Sequence, residues 1–165
     1  MITLITTYVQ KDFFKLIVSI LVSLSAGFIG SIFTFTSIDS WYVDLAKPVI
    51  NPPNWIFGPV WTALYILMGV ALFLVWKKGW NREDVKHGIC IFVIQLVLNA
   101  TWSIVFFGFQ NTGLAFVNII LLWLAIIWTM VWFYKVSKPA MYLLVPYILW
   151  VSFAGYLNLA IHILN

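Results

Sequence analysis

Charged side chains are scarce in this chain: they make up 8% of 165 residues, where a soluble domain carries roughly a quarter. That scarcity excludes a water-soluble globular fold. Cysteine occurs once, at Cys90, so no internal disulfide can form, and with two distant histidines it offers no metal-ligand constellation. The net charge of +4 comes from bases confined to short loops, which excludes a nucleic-acid surface. Away from the ends of the apolar runs, Asp, Glu, Lys and Arg are missing altogether. Ion-coupled pumps and proton relays need such groups inside the membrane, so ion-driven transport is argued against. His162 is the one ionisable candidate, and its place near a helix end fits a solvated interface residue. No internal repeat or low-complexity segment divides the chain, which reads as a single membrane domain over residues 1–165.

Long apolar runs are what the chain has in abundance. Charge-free stretches cover residues 16–38, 48–76, 87–134 and 139–165, each enough for the ~20 residues that cross a bilayer core. The third must be two spans, because one helix of that length would measure about 70 Å. The segment Gly108-Phe-Gln-Asn-Thr-Gly113 supplies turn residues where it folds back. An all-α integral membrane protein with a five-transmembrane-helix bundle results, its helices near 14–36, 58–77, 86–108, 113–134 and 139–163. The run after Lys11 and Lys15 is too long for the apolar part of a signal peptide and lacks a small-residue cleavage site, so an uncleaved first helix is expected.

This arrangement sorts the basic residues. With the N-terminus on side A, Lys11, Lys15, Lys77, Lys78, Arg82, Lys86, Lys135 and Lys138 all lie there, and only Lys47 falls on side B. Basic residues near span ends resist translocation, so side A is expected to be cytoplasmic, with the C-terminus and loop 37–57 across the membrane.

In place of charge, the spans hold neutral polar groups and aromatics. Asn99 and Trp102 lie about 14 and 9 Å from the side-B end of the third helix, with Asn118 and Asn158 about 8 Å inside the fourth and fifth. Trp61 and Tyr65 begin the second helix from the same side. Gln95, Asn99 and Trp102 share one helix face, as do Tyr147, Trp150, Ala154 and Asn158. Two readings stand: interhelical hydrogen bonding worth about 1 kcal/mol each, or a pocket with aromatic walls and a few neutral donors. Trp76, Trp80 and Trp132 sit beside the side-A bases and read as interfacial anchors. Trp150 and Trp123 lie near mid-bilayer, where an indole N–H needs a specific partner. On the first helix Ser23, Ala26, Gly27, Gly30 and Ser31 form a small-residue face, open to either intramolecular packing or a homodimer seam.

The loop between the first two helices carries Trp41, Tyr42 and Trp55, with prolines at 48, 52 and 53 that stiffen the backbone against helix formation. About twenty residues so rich in apolar surface exceed what a connection needs. A lid over the side-B mouth is expected.

At these residues the chain resembles the TspO/MBR family, known as translocator protein or tryptophan-rich sensory protein. The resemblance is carried by Trp41-Tyr42-x-x-Leu45-x-Lys47-Pro48, Pro52-Pro53-x-Trp55, Gly58-Pro59-Val60-Trp61-x-x-Leu64-Tyr65, Gln95-Leu96-x-Leu98-Asn99-x-x-Trp102 and Pro146-Tyr147-x-x-Trp150-x-x-Phe153-Ala154-x-x-Leu157-Asn158. It covers nearly the whole chain in the correct order and implies a five-helix membrane bundle, often dimeric. The ligands it implies are porphyrins and haem-pathway tetrapyrroles, with sterols and isoquinoline- or benzodiazepine-like compounds in some members; no cofactor is required. By this resemblance Tyr65, Asn99, Trp150 and Ala154 line the ligand cavity, and Trp41 and Pro52 belong to the loop over it. One position departs. Ile50 stands where many members carry a tryptophan implicated, with the residue matching Trp150, in light-dependent porphyrin breakdown. Isoleucine can neither stack on a macrocycle as an indole does nor serve as an oxidisable aromatic, so degradation is disfavoured. The final helix also lacks the family's animal-type sterol pattern, leaving only a stray Val131-x-x-Tyr134-x-x-x-Lys138 match, and such patterns are weak. Specific cholesterol binding is therefore not expected. The leading expectation is a receptor or sensor for tetrapyrroles, with a carrier, an enzyme or a purely structural partner-binding role as the alternatives.

Overall fold

The computed structural model describes residues 2–165, with side chains from Gln10 onward. Residue 1 of the expected 1–165 domain lies outside the described residues. Among the described residues, five helices are long and apolar enough to cross a membrane: Gln10–Ser37, Asn54–Trp76, Glu83–Gly108, Thr112–Val136 and Lys138–Leu164. The chain is an all-α, multi-pass integral membrane protein in contact with the lipid bilayer.

Helix α1 (Ile2–Ser37) starts well before the expected residue 14. No glycine or proline precedes Gly27, so nothing in the sequence stops the helix. Charge marks where the membrane begins, not where the helix does. A short helix α2 (Trp41–Asp44) follows, and α3 (Asn54–Trp76) begins directly after Pro53. Both features correct the expected all-loop segment 37–57. Proline restricts the residue before it, and its fixed φ (−55° at Pro53) suits helix entry, so what stays non-helical is the turn at 38–40 and the stretch 45–53 around the three prolines.

Helix α4 (Glu83–Ser103) runs into a π-helical turn at Ile104–Gly108. The Phe109 N–H donates to the Ile104 carbonyl at 2.9 Å, a five-residue step. The reversal that follows uses Gln110, at φ 53°, for its left-handed residue, while the two flanking glycines serve close approach. A Cβ on Gly108 would lie 2.8 Å from the Phe33 ring, and one on Gly113 would lie 3.0 Å from His162. Asn111 caps α5 (Thr112–Val136) by accepting from the Leu114 N–H at 2.9 Å. The expected last helix is divided into α6 (Lys138–Tyr142) and α7 (Val145–Leu164), because Pro146 cannot donate back into the preceding turn.

Helix α1 packs on α3 and α4, α4 on α5, and α5 on α7, with α3 touching α6 and α7. The α1 and α3 backbones approach closely at Gly69, where an added Cβ would stand 2.5 Å from the Ile20 Cα. The small-residue face of α1 is used within the chain. Cβ atoms on Gly27 and Gly30 would meet Tyr65 and Ser103 at 2.3 and 2.8 Å, and Ser23 and Ala26 are buried. Met68, Phe92, Phe133 and Tyr147 form the fully buried centre, with Phe92 and Phe133 stacked at 5.6 Å.

Candidate functional site

In the side-B half, α1, α3, α4 and α7 separate around a cavity of about 690 Å³. Leu24, Gly27, Gly30, Ser31 and Thr34 of α1 leave it room, because small side chains at three- and four-residue spacing hollow out one helix face. Trp61 and Tyr65 of α3 stack at 5.6 Å on one wall, and Trp102 and Phe106 stack at 5.0 Å on another. Ala154, Leu157, Asn158 and Ile161 of α7 complete it. The exposed members of the lining, Phe28, Phe35, Asn54, Trp55, Gly58 and Thr62, all belong to α1 and α3. The open side is therefore the gap between those two helices. Ten of the 25 lining residues are aromatic and none is Asp, Glu, Lys, Arg or His, so the cavity can stack and enclose a ring but cannot neutralise a charge.

Its polar groups are largely bonded to one another. The Tyr65 hydroxyl donates to Asn99 Oδ1; Asn99 Nδ2 donates to the Tyr147 hydroxyl at 3.1 Å; and that hydroxyl donates to Gln95 Oε1 at 2.7 Å. This chain ties α3, α4 and α7 together. Farther toward side B, Trp102 Nε1 donates to Asn158 Oδ1 at 2.9 Å, while Asn158 Nδ2 donates to the Thr112 carbonyl at 2.8 Å. Ser31, Thr34 and Thr62 turn their hydroxyls back onto carbonyls of their own helices.

Of the residues singled out in the sequence, Trp61, Tyr65, Asn99, Trp102, Ala154 and Asn158 meet at this cavity. Tyr147 does not line it. It is fully buried behind Trp61, with ring centroids 6.3 Å apart and its hydroxyl engaged with Asn99 and Gln95. Trp150 also stands outside the lining, behind Phe57 at 6.0 Å, and its indole N–H is buried without a partner among the described residues. The mid-bilayer Trp123 does find one, donating to Ser152 Oγ at 2.9 Å. Asn118 lies apart from the cavity, and its Oδ1 is unpartnered among the described residues.

In the loop, Tyr42 reaches the cavity in place of Trp41, which packs edge-on against Phe106 at 5.5 Å. Tyr42 donates to Asn51 Oδ1 at 3.1 Å, and burial raises its phenol above the usual tyrosine range. Ile50 is exposed, and Pro52 is half-buried away from the lining. Two tethers hold this segment over the side-B end: Ser37 Oγ donates to the Phe107 carbonyl at 2.8 Å, and the Asn165 side chain both accepts from the Ala46 N–H and donates to its carbonyl. Sequence reasoning missed Phe106, Phe107 and the α1 contribution. Phe106 follows Trp102 by one helical turn, which was the available signal; the small α1 residues were legible only as a packing face.

Fold and site together define a small polytopic membrane protein built around an uncharged, aromatic intrabundle cavity. Residues 19–164 match the model of the TspO/MBR family, and the chain belongs to that family. It is 49% identical over 156 residues to the "Tryptophan-rich protein TspO" of Chlorobaculum tepidum, covering 94% of this chain and 99% of that one. The protein of the same description from Archaeoglobus fulgidus is also 49% identical, over 92% of this chain and 97% of its own. The human "Translocator protein" is 40% identical over 132 residues, 79% of this chain and 78% of that one.

Proposed function

We propose that this protein is a membrane receptor for a flat, largely apolar ring system, with porphyrin-type tetrapyrroles as the ligand class, bound in the cavity between α1, α3, α4 and α7. The observation that carries the reading is the lining itself: about 690 Å³ of space with ten aromatic residues and no charged one, within the size range of small-molecule sites. Stacking on Trp61 and Trp102 supplies affinity, and Tyr42 closes the side-B end. The proposal concerns binding without chemical change, since Ile50 cannot act as an oxidisable aromatic and the lining offers no acid–base pair. The sorting of eight bases to side A supports a cytoplasmic N-terminus, with the cavity in the opposite leaflet.

The test is a dark titration of the detergent-purified protein with protoporphyrin IX, following tryptophan quenching and the Soret band. Saturation near one ligand per chain is expected, abolished by Ala154→Trp, which fills the cavity. Absence of saturable binding, or binding indifferent to Ala154→Trp, overturns the proposal. The gap between α1 and α3 favours a second reading, in which ligand passes laterally between bilayer and cavity as in a carrier. Ligand flux between liposome leaflets that exceeds protein-free controls supports it.

A further inference from the structure

A second depression lies at the other end of the bundle and belongs to no part of the site above. It is a groove of about 460 Å³ on the lipid-facing surface where α5 meets α6 and α7. Met130, Val131, Met141 and Ile148 form its walls, and Tyr134 and Lys135 its side-A rim. It spans the interruption of the last helix: α6 ends at Tyr142 and α7 restarts at Val145, with Met141 and Ile148 on either side. From Ile127, the deepest α5 residue, to Lys135 is eight residues, or about 12 Å along the helix, most of one leaflet of a hydrocarbon core about 30 Å thick. The two methionines give walls that adapt to a flexible chain.

Lys135 of the rim, and Lys138, which stands beside the groove against Tyr134 without lining it, carry charge that the protein does not balance. Lys135 Nζ rests over the Trp132 ring at 4.1 Å, and Lys138 Nζ over the Tyr134 ring at 5.4 Å. Neither makes an ion pair among the described residues, whereas Glu83 and Asp84, also on side A, are paired at 2.7 Å with Lys86 and Arg82. An apolar trough one leaflet deep, ending at two uncompensated cations, is complementary to an amphiphile with an anionic head.

We propose that this groove is a binding site for one phospholipid of the side-A leaflet, with an acyl chain along Met130, Met141 and Ile148 and an anionic headgroup on Lys135 and Lys138. The site is independent of the cavity and of any ligand there.

Native mass spectrometry of the detergent-purified protein, given equal amounts of phosphatidylglycerol and phosphatidylcholine with identical acyl chains, tests it. One retained phosphatidylglycerol per chain is expected. Lys135→Gln and Lys138→Gln should each lower the preference for it about fivefold, the contribution of one lysine at an anionic surface. Met130→Trp, which fills the trough, should reduce retention of both lipids. Lys77→Gln with Lys78→Gln, on the same side but away from the groove, should change nothing. Equal retention of the two lipids overturns the proposal, as does an equal loss on removing Lys77 and Lys78, which would mean diffuse attraction to side A. Displacement of phosphatidylglycerol by cholesterol in both the native protein and the lysine variants also overturns it.

Discussion

Replacing Asn99 with leucine removes the central link of the Tyr65–Asn99–Tyr147–Gln95 chain while nearly conserving volume. Asn99 makes two interhelical bonds, accepting from Tyr65 and donating to Tyr147. Such bonds inside membranes average about 0.6 kcal/mol and reach about 1.7, so their loss together amounts to roughly 1–3 kcal/mol. The two tyrosines then fare differently. Tyr147 still donates to Gln95, but the Tyr65 hydroxyl is left in a buried position without its acceptor. Tyr65→Phe should therefore destabilise by only about 1 kcal/mol, and in the double variant it removes the hydroxyl that Asn99→Leu strands. The double variant should be more stable than the sum of the single effects predicts by about 1 kcal/mol. Equilibrium unfolding in mixed micelles of mild detergent and dodecyl sulfate, followed by circular dichroism, measures all four proteins. If Asn99→Leu lies within about 0.5 kcal/mol of the native protein, or the two changes simply add, the chain does not join α3, α4 and α7 as described.

Gly69→Ala forces a methyl group against the Ile20 backbone at 2.5 Å, so α1 and α3 must separate; a loss of about 1–3 kcal/mol is expected in the same unfolding assay. Protoporphyrin IX dimethyl ester should bind at least as tightly as the diacid, because an ionised carboxylate buried in the uncharged lining loses several kcal/mol of solvation; fluorescence titration of both ligands decides it, and a clear preference for the diacid refutes it. Asn165→Ala removes both bonds to the Ala46 backbone and should accelerate exchange of that amide hydrogen by about fivefold or more, the equivalent of ~1 kcal/mol, with little change in global unfolding.

The architecture was legible because the bilayer constrains it so tightly. Run lengths and the sorting of Lys77, Lys78, Lys135 and Lys138 to one side leave few arrangements other than five helices. Depth was legible too, since counting residues from helix ends measures it, and Tyr65, Asn99, Trp102 and Asn158 do share one half of the bundle. Rotation about a helix axis was harder to read. Trp150 has the expected depth, but its ring turns toward Phe57 and Phe153 rather than into the cavity. Tyr147 and Gln95 fall on the polar face that periodicity marks, yet they bond to each other instead of meeting the open space, and Gln95 Nε2 is buried without a partner among the described residues. The π turn at Ile104–Gly108 leaves no trace in composition, because one extra residue in a helical turn needs no special side chain. The small residues of α1 admit packing and cavity equally, and in the fold they provide both: Gly27 and Gly30 touch Tyr65 and Ser103 while bordering the space beside them.

The self-contained bonding of the cavity wall sets a ceiling on how choosy the protein can be. Sites that reject a near-isostere by four or five orders of magnitude do so by stranding a buried donor or acceptor when the wrong molecule enters. Here the hydroxyls of Tyr65 and Thr62, the amides of Asn99 and Asn158 and the indole N–H of Trp102 are already engaged before anything arrives. Apart from the Ser103 hydroxyl, which makes no hydrogen bond among the described residues, discrimination within the enclosed wall falls to contour, about 10–200-fold for a methylene gained or lost. Under the proposed binding role, which molecule occupies the site is then decided less by recognition than by abundance: by whatever flat compound the surrounding bilayer holds at the highest concentration.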